Sequence, residues 1–212
     1  HALNWIVDLK KRMAKEAGLI YEYTGEQGGL AIFSAYPLKN TGTTYSNRAN
    51  GYQYADLVFP GGNLRLFNLH LHSNHVSDLA DRVAAEGNLQ EKETWLDIKG
   101  MLSRFKRSTQ RRARQAEELA ALIDRTDLPV ILCGDLNDIP QSYTYHLLNR
   151  RLQDTFRQKG SGLSTTYAGK IPGLRIDYVL VSPELAVRDF HTGRRSFSDH
   201  RPVWSKLQIP AR

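Results

Sequence analysis

The spacing of hydrophobic and polar positions changes several times along the chain. Residues 2–17 place their apolar side chains at helical intervals, and Gly18 follows as a stop, which predicts one helix. Residues 19–23 and 30–34 read as strands around a turn at 25–29. Residues 54–59 and 64–71 read as two more, joined by Pro60-Gly61-Gly62-Asn63, a strong hairpin signal. Residues 76–125 are polar and Ala-rich with almost no Gly or Pro, which predicts one or two long helices. Residues 130–133 form a short all-apolar run, the kind of strand buried on both faces. Ser142 is placed to cap a short helix through Leu148. Residues 175–182 and 203–207 complete the strands. Most strands therefore have antiparallel neighbours, with helices inserted at a few places. The expected class is α/β, a mixed sandwich with helices covering sheets rather than a doubly wound parallel sheet.

Composition narrows the picture only modestly. The chain has 212 residues, which predicts a single domain over 1–212 with a helical insert at 76–126. Hydrophobic residues make up 41% and charged residues 24%, an ordinary globular balance that excludes disordered and collagen-like chains. The net charge of +7 favours anionic partners: nucleic acid, phosphorylated metabolites or anionic membrane. Cys133 is the sole cysteine, so no internal disulfide forms, and its apolar surroundings predict a buried, inert thiol. No apolar run reaches the ~18 residues needed to span a bilayer, and no signal-peptide pattern is present.

Four segments share one feature: a strand runs out into a cluster of polar residues. They are Asn68-Leu69-His70-Leu71-His72-Ser73, Cys133-Gly134-Asp135-Leu136-Asn137-Asp138, Arg175-Ile176-Asp177-Tyr178 and Ser198-Asp199-His200-Arg201-Pro202. Strand ends hold side chains rigidly while the following loop leaves them reachable, so reactive groups concentrate there. Taken singly, a histidine after a strand is usually structural, and Asp-Leu-Asn is usually an Asx turn. Four such clusters in one chain point to a shared site. His72 shares a strand face with His70 if the strand continues, which leaves a substrate contact open. His75 reads as non-catalytic, and His146 and His191 as surface residues.

Gly134-Asp135-Leu136-Asn137, Arg175-Ile176-Asp177-Tyr178 and Ser198-Asp199-His200 resemble three signature motifs of the endonuclease/exonuclease/phosphatase superfamily. That group holds pancreatic-type deoxyribonucleases, abasic-site endonucleases, inositol polyphosphate phosphatases and bacterial sphingomyelinases. Asn68-Leu69-His70-Leu71 resembles its histidine-bearing strand, and residues 29–38 an earlier strand and turn. The run Asp138-Ile139-Pro140-Gln141-Ser142-Tyr143-Thr144-Tyr145 is similar to a bacterial branch common in Bacteroidetes, whose longer members carry membrane helices upstream. The resemblance implies a four-layer sandwich of two mixed sheets flanked by helices. It implies a phosphoesterase in which Asp135 orients and deprotonates the attacking water and Asn137 donates to a phosphoryl oxygen. His70 and His200 contact the phosphate, with Asp177 behind His200, and Asp199 approaches a divalent cation, Mg²⁺ or Mn²⁺. A carboxylate behind an imidazole fixes its tautomer and raises its basicity.

The resemblance also carries a departure. Members begin with a strand ending in Asn and another ending in Gln-Glu, whose Glu is the principal metal ligand; neither precedes residues 2–17 here, and the sequence opens at His1. Glu16, Glu22 and Glu26 do not close a strand in that pattern. The expectation is a fragment of a longer product, with room for a membrane anchor upstream and with weakened metal binding. Lys99, Arg104, Lys106, Arg107, Arg111, Arg112 and Arg114 lie in a stretch without an acid. On a helix they form a positive surface, with Arg107, Arg111 and Arg112 the candidates to grip a nucleic-acid backbone or anionic lipid. The expected activity is Mg²⁺-dependent hydrolysis of nucleic-acid phosphodiesters. The alternatives are a phospholipid or inositol phosphate ester as substrate, and a non-catalytic binding fragment.

Overall fold

A computed structural model describes residues 2–26, 29–47, 50–73, 92–169, 173–194 and 198–209. The predicted helix at 2–17 forms as α1 (Ala2–Ala17), and a Lys10–Glu22 ion pair ties it to the next strand. Strands β1 (Tyr21–Thr24) and β2 (Ala31–Ser34) make an antiparallel hairpin. Next come β3 (Leu38–Tyr45), β4 (Gly51–Phe59) and β5 (Gly62–His70), where Pro60 and Gly61 form the predicted hairpin turn. Of residues 76–125, the described part is one helix of 33 residues, α2 (Lys92–Asp124); residues 76–91 lie outside the described set. Then follow β6 (Val130–Asp135), α3 (Tyr143–Asn149), β7 (Gln153–Asp154), α4 (Thr155–Lys159), β8 (Asp177–Val181), β9 (Ala186–Thr192) and β10 (Val203–Gln208). Ser142 caps α3 as expected, its Oγ accepting from Tyr145 N at 3.2 Å.

Six strands form one sheet in the order β3-β4-β5-β6-β8-β7. Only β5 and β6 run parallel, and the connection between them carries α2, as a parallel crossover requires. One face of the sheet is closed by helices. Phe67, Leu69, Leu132 and Leu180 pack with Leu119 and Ile123 of α2 and Tyr145 and Leu148 of α3, all buried. Among the described residues, the opposite face is covered at its two ends. At one end the β1–β2 hairpin docks through Tyr23 OH to Thr43 Oγ1 (2.7 Å) and Asn68 Nδ2 to the Ala31 carbonyl (3.0 Å). At the other, the β9–β10 pair packs Val187 and Leu207 over Ile131, Val179 and Val181.

This asymmetry corrects one expectation. Residues 130–133 are not buried on both faces: Val130 and Leu132 are buried, while Ile131 and Cys133 on the opposite face are half-buried. The Cys133 thiol matches the inert reading, since burial pushes it up to about 11 and its Sγ meets the Phe67 carbonyl at 3.5 Å. Strand β3 escaped the sequence reading because its residues, LKNTGTTY, are almost all polar. It is an edge strand, bulged between Lys39 and Gly42, and half of its residues are exposed while none is fully buried.

Candidate active site

The sheet register assembles the site. His70 is paired with Asp135 across β5–β6, and Asp135 with Asp177 across β6–β8. Three polar side chains therefore stand abreast at the same end of three adjacent strands. They lie on the half-open face, because Leu69, Leu132 and Tyr178 alternate into the helix-covered core. The close approach of β5 to β6 needs Gly134, which has φ +136°; a Cβ there would lie 2.0 Å from the Leu69 carbonyl oxygen. His200 joins from the loop before β10. That loop is held by Ala168 N to Asp199 O (2.7 Å) and Arg201 N to Thr166 O (2.7 Å).

Asp135 sits at the centre. Its Oδ2 lies 3.7 Å from His70 Nε2 and 3.9 Å from His200 Nε2, and its side chain is 12% exposed. Oδ1 accepts the Asn137 backbone N–H at 2.6 Å, an Asx turn completed by Asn137 in the left-handed region at φ 50°. The Asn137 amide spends one hydrogen on the Leu71 carbonyl at 2.9 Å, which locks the loops after β5 and β6 together. His200 Nδ1 meets both oxygens of Asp177, at 2.9 and 3.1 Å. Asp177 is itself seated by a residue absent from the sequence reading: fully buried Thr166, whose Oγ1 accepts from both Ile176 N and Asp177 N at 3.0 Å. Tyr167 closes the far side, its ring edge-on to His200 at 5.6 Å.

These contacts set opposed charge states. Burial pushes the Asp135 carboxyl up to about 7, with the negative charge of Asp177 adding to it. The hydrogen bond to Asp177 raises His200 to about 9, aided by the charges of Asp177, Asp135 and Asp199. Near neutral pH, Asp135 is therefore poised to exchange a proton while His200 stays cationic. Pairs of groups driven to different protonation states are typical of acid–base chemistry.

The five predicted residues His70, Asp135, Asn137, Asp177 and His200 come together at the ends of β5, β6 and β8. Asp199 is exposed, and its backbone carbonyl is anchored by Ala168. Among the described residues, the side chains close enough to share a cation are Asp135, Asp177 and His200, whose ligand atoms lie within 4.8 Å of one another. Two carboxylates suit a hard divalent ion, although both already accept hydrogen bonds, so the donor set fits such an ion with few ligands to spare. Arg107 and Arg111 are exposed on α2, as expected. Arg112 is not: it is 0% exposed, and its guanidinium bonds Asp138 Oδ2 (3.1 Å), the His72 carbonyl (3.2 Å) and Thr109 Oγ1 (3.1 Å). It clamps the site from behind and has no surface to offer a ligand. His146 and His191 are exposed, and His75 lies outside the described residues.

The large mixed sheet flanked by helices and two small sheets thus presents a carboxylate between two histidines, one backed by a second carboxylate. The chain belongs to the endonuclease/exonuclease/phosphatase family, whose description it matches over residues 3–200. Members of this family are, in general, phosphoesterases. Among curated proteins none matches the sequence. Solved structures share the fold. The endonuclease/exonuclease/phosphatase of Beutenbergia cavernae DSM 12333 is 17% identical with a TM-score of 0.62, over 96% of this chain and 57% of that one. A humanized D. rerio TDP2 is 15% identical at 0.64, over 94% and 80%. The mannosyl-6-phosphatase of Bacteroides thetaiotaomicron VPI-5482 is 18% identical at 0.54, over 84% and 70%.

Proposed function

We propose that this chain carries the hydrolytic site of a divalent-cation-dependent phosphodiesterase acting on nucleic acid. The observation that carries the reading is the Asp135 carboxylate, 3.7 Å from His70 Nε2 and 3.9 Å from His200 Nε2, with His200 backed by Asp177. A carboxylate so placed is a positioned base for an attacking water. Asp135 takes the proton of the attacking water. His200, kept charged by Asp177, directs its Nε2–H at a phosphoryl oxygen, and His70 faces the same oxygen cluster from the other side. Asn137 has a second amide hydrogen to offer. Asp135 and Asp177, with Asp199 nearby, would hold a divalent cation, Mg²⁺ or Mn²⁺, which would supply positive charge against the developing negative phosphoryl oxygens.

Nucleic acid as substrate is supported by the charge of α2. Lys99, Arg104, Lys106, Arg107, Arg111 and Arg114 are exposed on the helix whose buried side holds the site loops. The test uses plasmid DNA and bis-nitrophenyl phosphate with Mg²⁺. Replacing Asp135, Asn137 or His200 should cost ~100-fold or more in turnover. Full activity in Asp135→Asn would refute the mechanism. A phospholipid ester is the second reading, favoured by Leu102 and Phe105, which are 59% and 46% exposed among those cations. Binding to anionic liposomes without measurable DNA affinity at low salt would put it first.

A further inference from the structure

Residue 72 lies just beyond the strand that ends in His70, and α2 grips its backbone on both sides. The His72 N–H donates to Gln115 Oε1 at 2.9 Å, and its carbonyl accepts from Arg112 Nη1 at 3.2 Å. Gln115 and Arg112 are 7% and 0% exposed. Ser108, one turn earlier on the same helix face, reaches the Ser73 carbonyl at 3.4 Å. Burying a guanidinium is costly and is tolerated here because Asp138 neutralises it. The result is a residue fixed beside the hydrolytic centre far more firmly than a surface loop requires.

That backbone grip presents an imidazole to an arginine. His72 Nε2 lies 3.2 Å from Arg111 Nη1. Arg111 is exposed, and its guanidinium meets the His72 ring. Residues 98–116 contain no Asp or Glu at all. The contact does little for folding: a neutral imidazole accepts one exposed hydrogen bond, and a charged one repels the guanidinium. Its chemistry suits a third party. A guanidinium offers several fixed N–H donors, and an imidazole nitrogen that accepts one of them holds the others in place for an anion.

We propose that His72 and Arg111 form a second anion-binding position that takes a non-scissile phosphate of the substrate. The substrate is then an ester with at least two phosphate groups. This rests on the phosphoesterase reading and narrows it. The second phosphate comes either from the next link of a nucleic-acid strand or from another position of a polyphosphorylated small molecule.

The experiment compares paired substrates that differ by one phosphate: a dinucleotide with and without a 5′-phosphate, and an inositol bisphosphate against a monophosphate. The expected result is a preference for the richer member of one pair, and the pair that shows it identifies the source. Arg111→Gln and His72→Gln should each cut that preference about tenfold, the scale of one charge-assisted hydrogen bond, with the change in KM. Arg111→Lys should restore part of it, which a purely structural role would not. In parallel, the His72 imidazole NMR signal is followed during titration with inorganic pyrophosphate and, separately, orthophosphate. A saturable shift that pyrophosphate gives at lower concentration supports the subsite. If no ester is hydrolysed, the phosphoesterase reading fails, and the imidazole titration alone decides the subsite. Unchanged preference in both variants, or no saturable imidazole shift, overturns it.

Discussion

Asp135 is held against its own charge, so removing that charge should stabilise the protein while abolishing its chemistry. The free carboxyl titrates near 3.8, and in the fold it is pushed up to about 7. The folded state thus prefers the neutral acid. Its contribution to stability is whole below the unfolded value and is lost as pH climbs to about 7. At about 1.4 kcal/mol per pH unit, the ionisation penalty is bounded at about 1.6 kcal/mol at pH 5 and about 4 kcal/mol at pH 8. Asn is isosteric, carries no charge, and keeps an oxygen to accept the Asn137 N–H. Asp135→Asn should therefore gain little at pH 5 and about 2 kcal/mol or more at pH 8, after allowance for relaxation around the site. For a chain of this size that is a rise of about 4–8 °C in Tm. The assay is urea and thermal unfolding of both proteins at the two pH values with EDTA present, beside turnover with Mg²⁺. Equal destabilisation at both pH values would refute the claim that the fold opposes the charge. A stabilised but fully active variant would refute the role of Asp135 as base.

Asp177→Asn should let His200 fall from about 9 toward 6.5 and, by removing a neighbouring negative charge, lower Asp135 as well, so both limbs of the pH profile of kcat/KM move to acid. The stability that His200 adds below pH 6.5, and that wild type loses only as pH rises through about 9, should vanish; imidazole NMR and unfolding against pH measure both. Arg112→Met should cost about 3–5 kcal/mol in urea unfolding, because it strands the Asp138 carboxylate, with much of that recovered in Arg112→Met/Asp138→Asn, whereas exposed Arg111→Gln should stay within about 0.5 kcal/mol. Gly134→Ala should cost more than about 3 kcal/mol or prevent folding, since its Cβ would meet the Leu69 backbone at a φ of +136°. Calorimetry should find Mg²⁺ binding weaker than ~10⁻⁴ M, because the described donor set offers two carboxylates that are already hydrogen-bonded; stoichiometric tight binding would show that another ligand contributes.

The parts of the fold that are legible in the sequence are those with a strong local signal. The turn at 60–63 revealed the β4–β5 hairpin, the apolar run at 130–133 revealed β6 though not its half-buried face, and the Ser142 hydroxyl announced α3. The reactive residues were legible as charged groups closing apolar strands, sharpened by motif. Their mutual geometry was not, because the register that sets His70 beside Asp135 and Asp135 beside Asp177 comes from pairing between distant segments. Arg112 was misread for a different reason. Within a run of cations, side-chain type does not distinguish inside from outside, but helical phase does. Stepping back from the apolar Ile123, Leu119 and Ala116 by three or four residues reaches Arg112 and then Ser108, and all five are buried. Thr166 carried no sequence signal: its role depends on lying under Asp177, in a loop without periodicity.

The division of labour between the two sheet faces explains why the site lies where it does. The helix-covered face buries Phe67, Leu69, Leu132 and Leu180 almost completely, and its apolar packing can bear electrostatic cost elsewhere. Among the described residues, the other face is open in the middle. β1 packs beside β3 and β10 beside β8, so the half-buried Cys133 and the ends of β5 and β6 lie between two small sheets. Among the described residues, β2 and β10 each pair on one side only, and β2 reaches Asn68 through the Ala31 carbonyl. Unpaired strand edges flanking a half-covered floor are chemically unfinished, since their N–H and C=O groups favour pairing with a further strand.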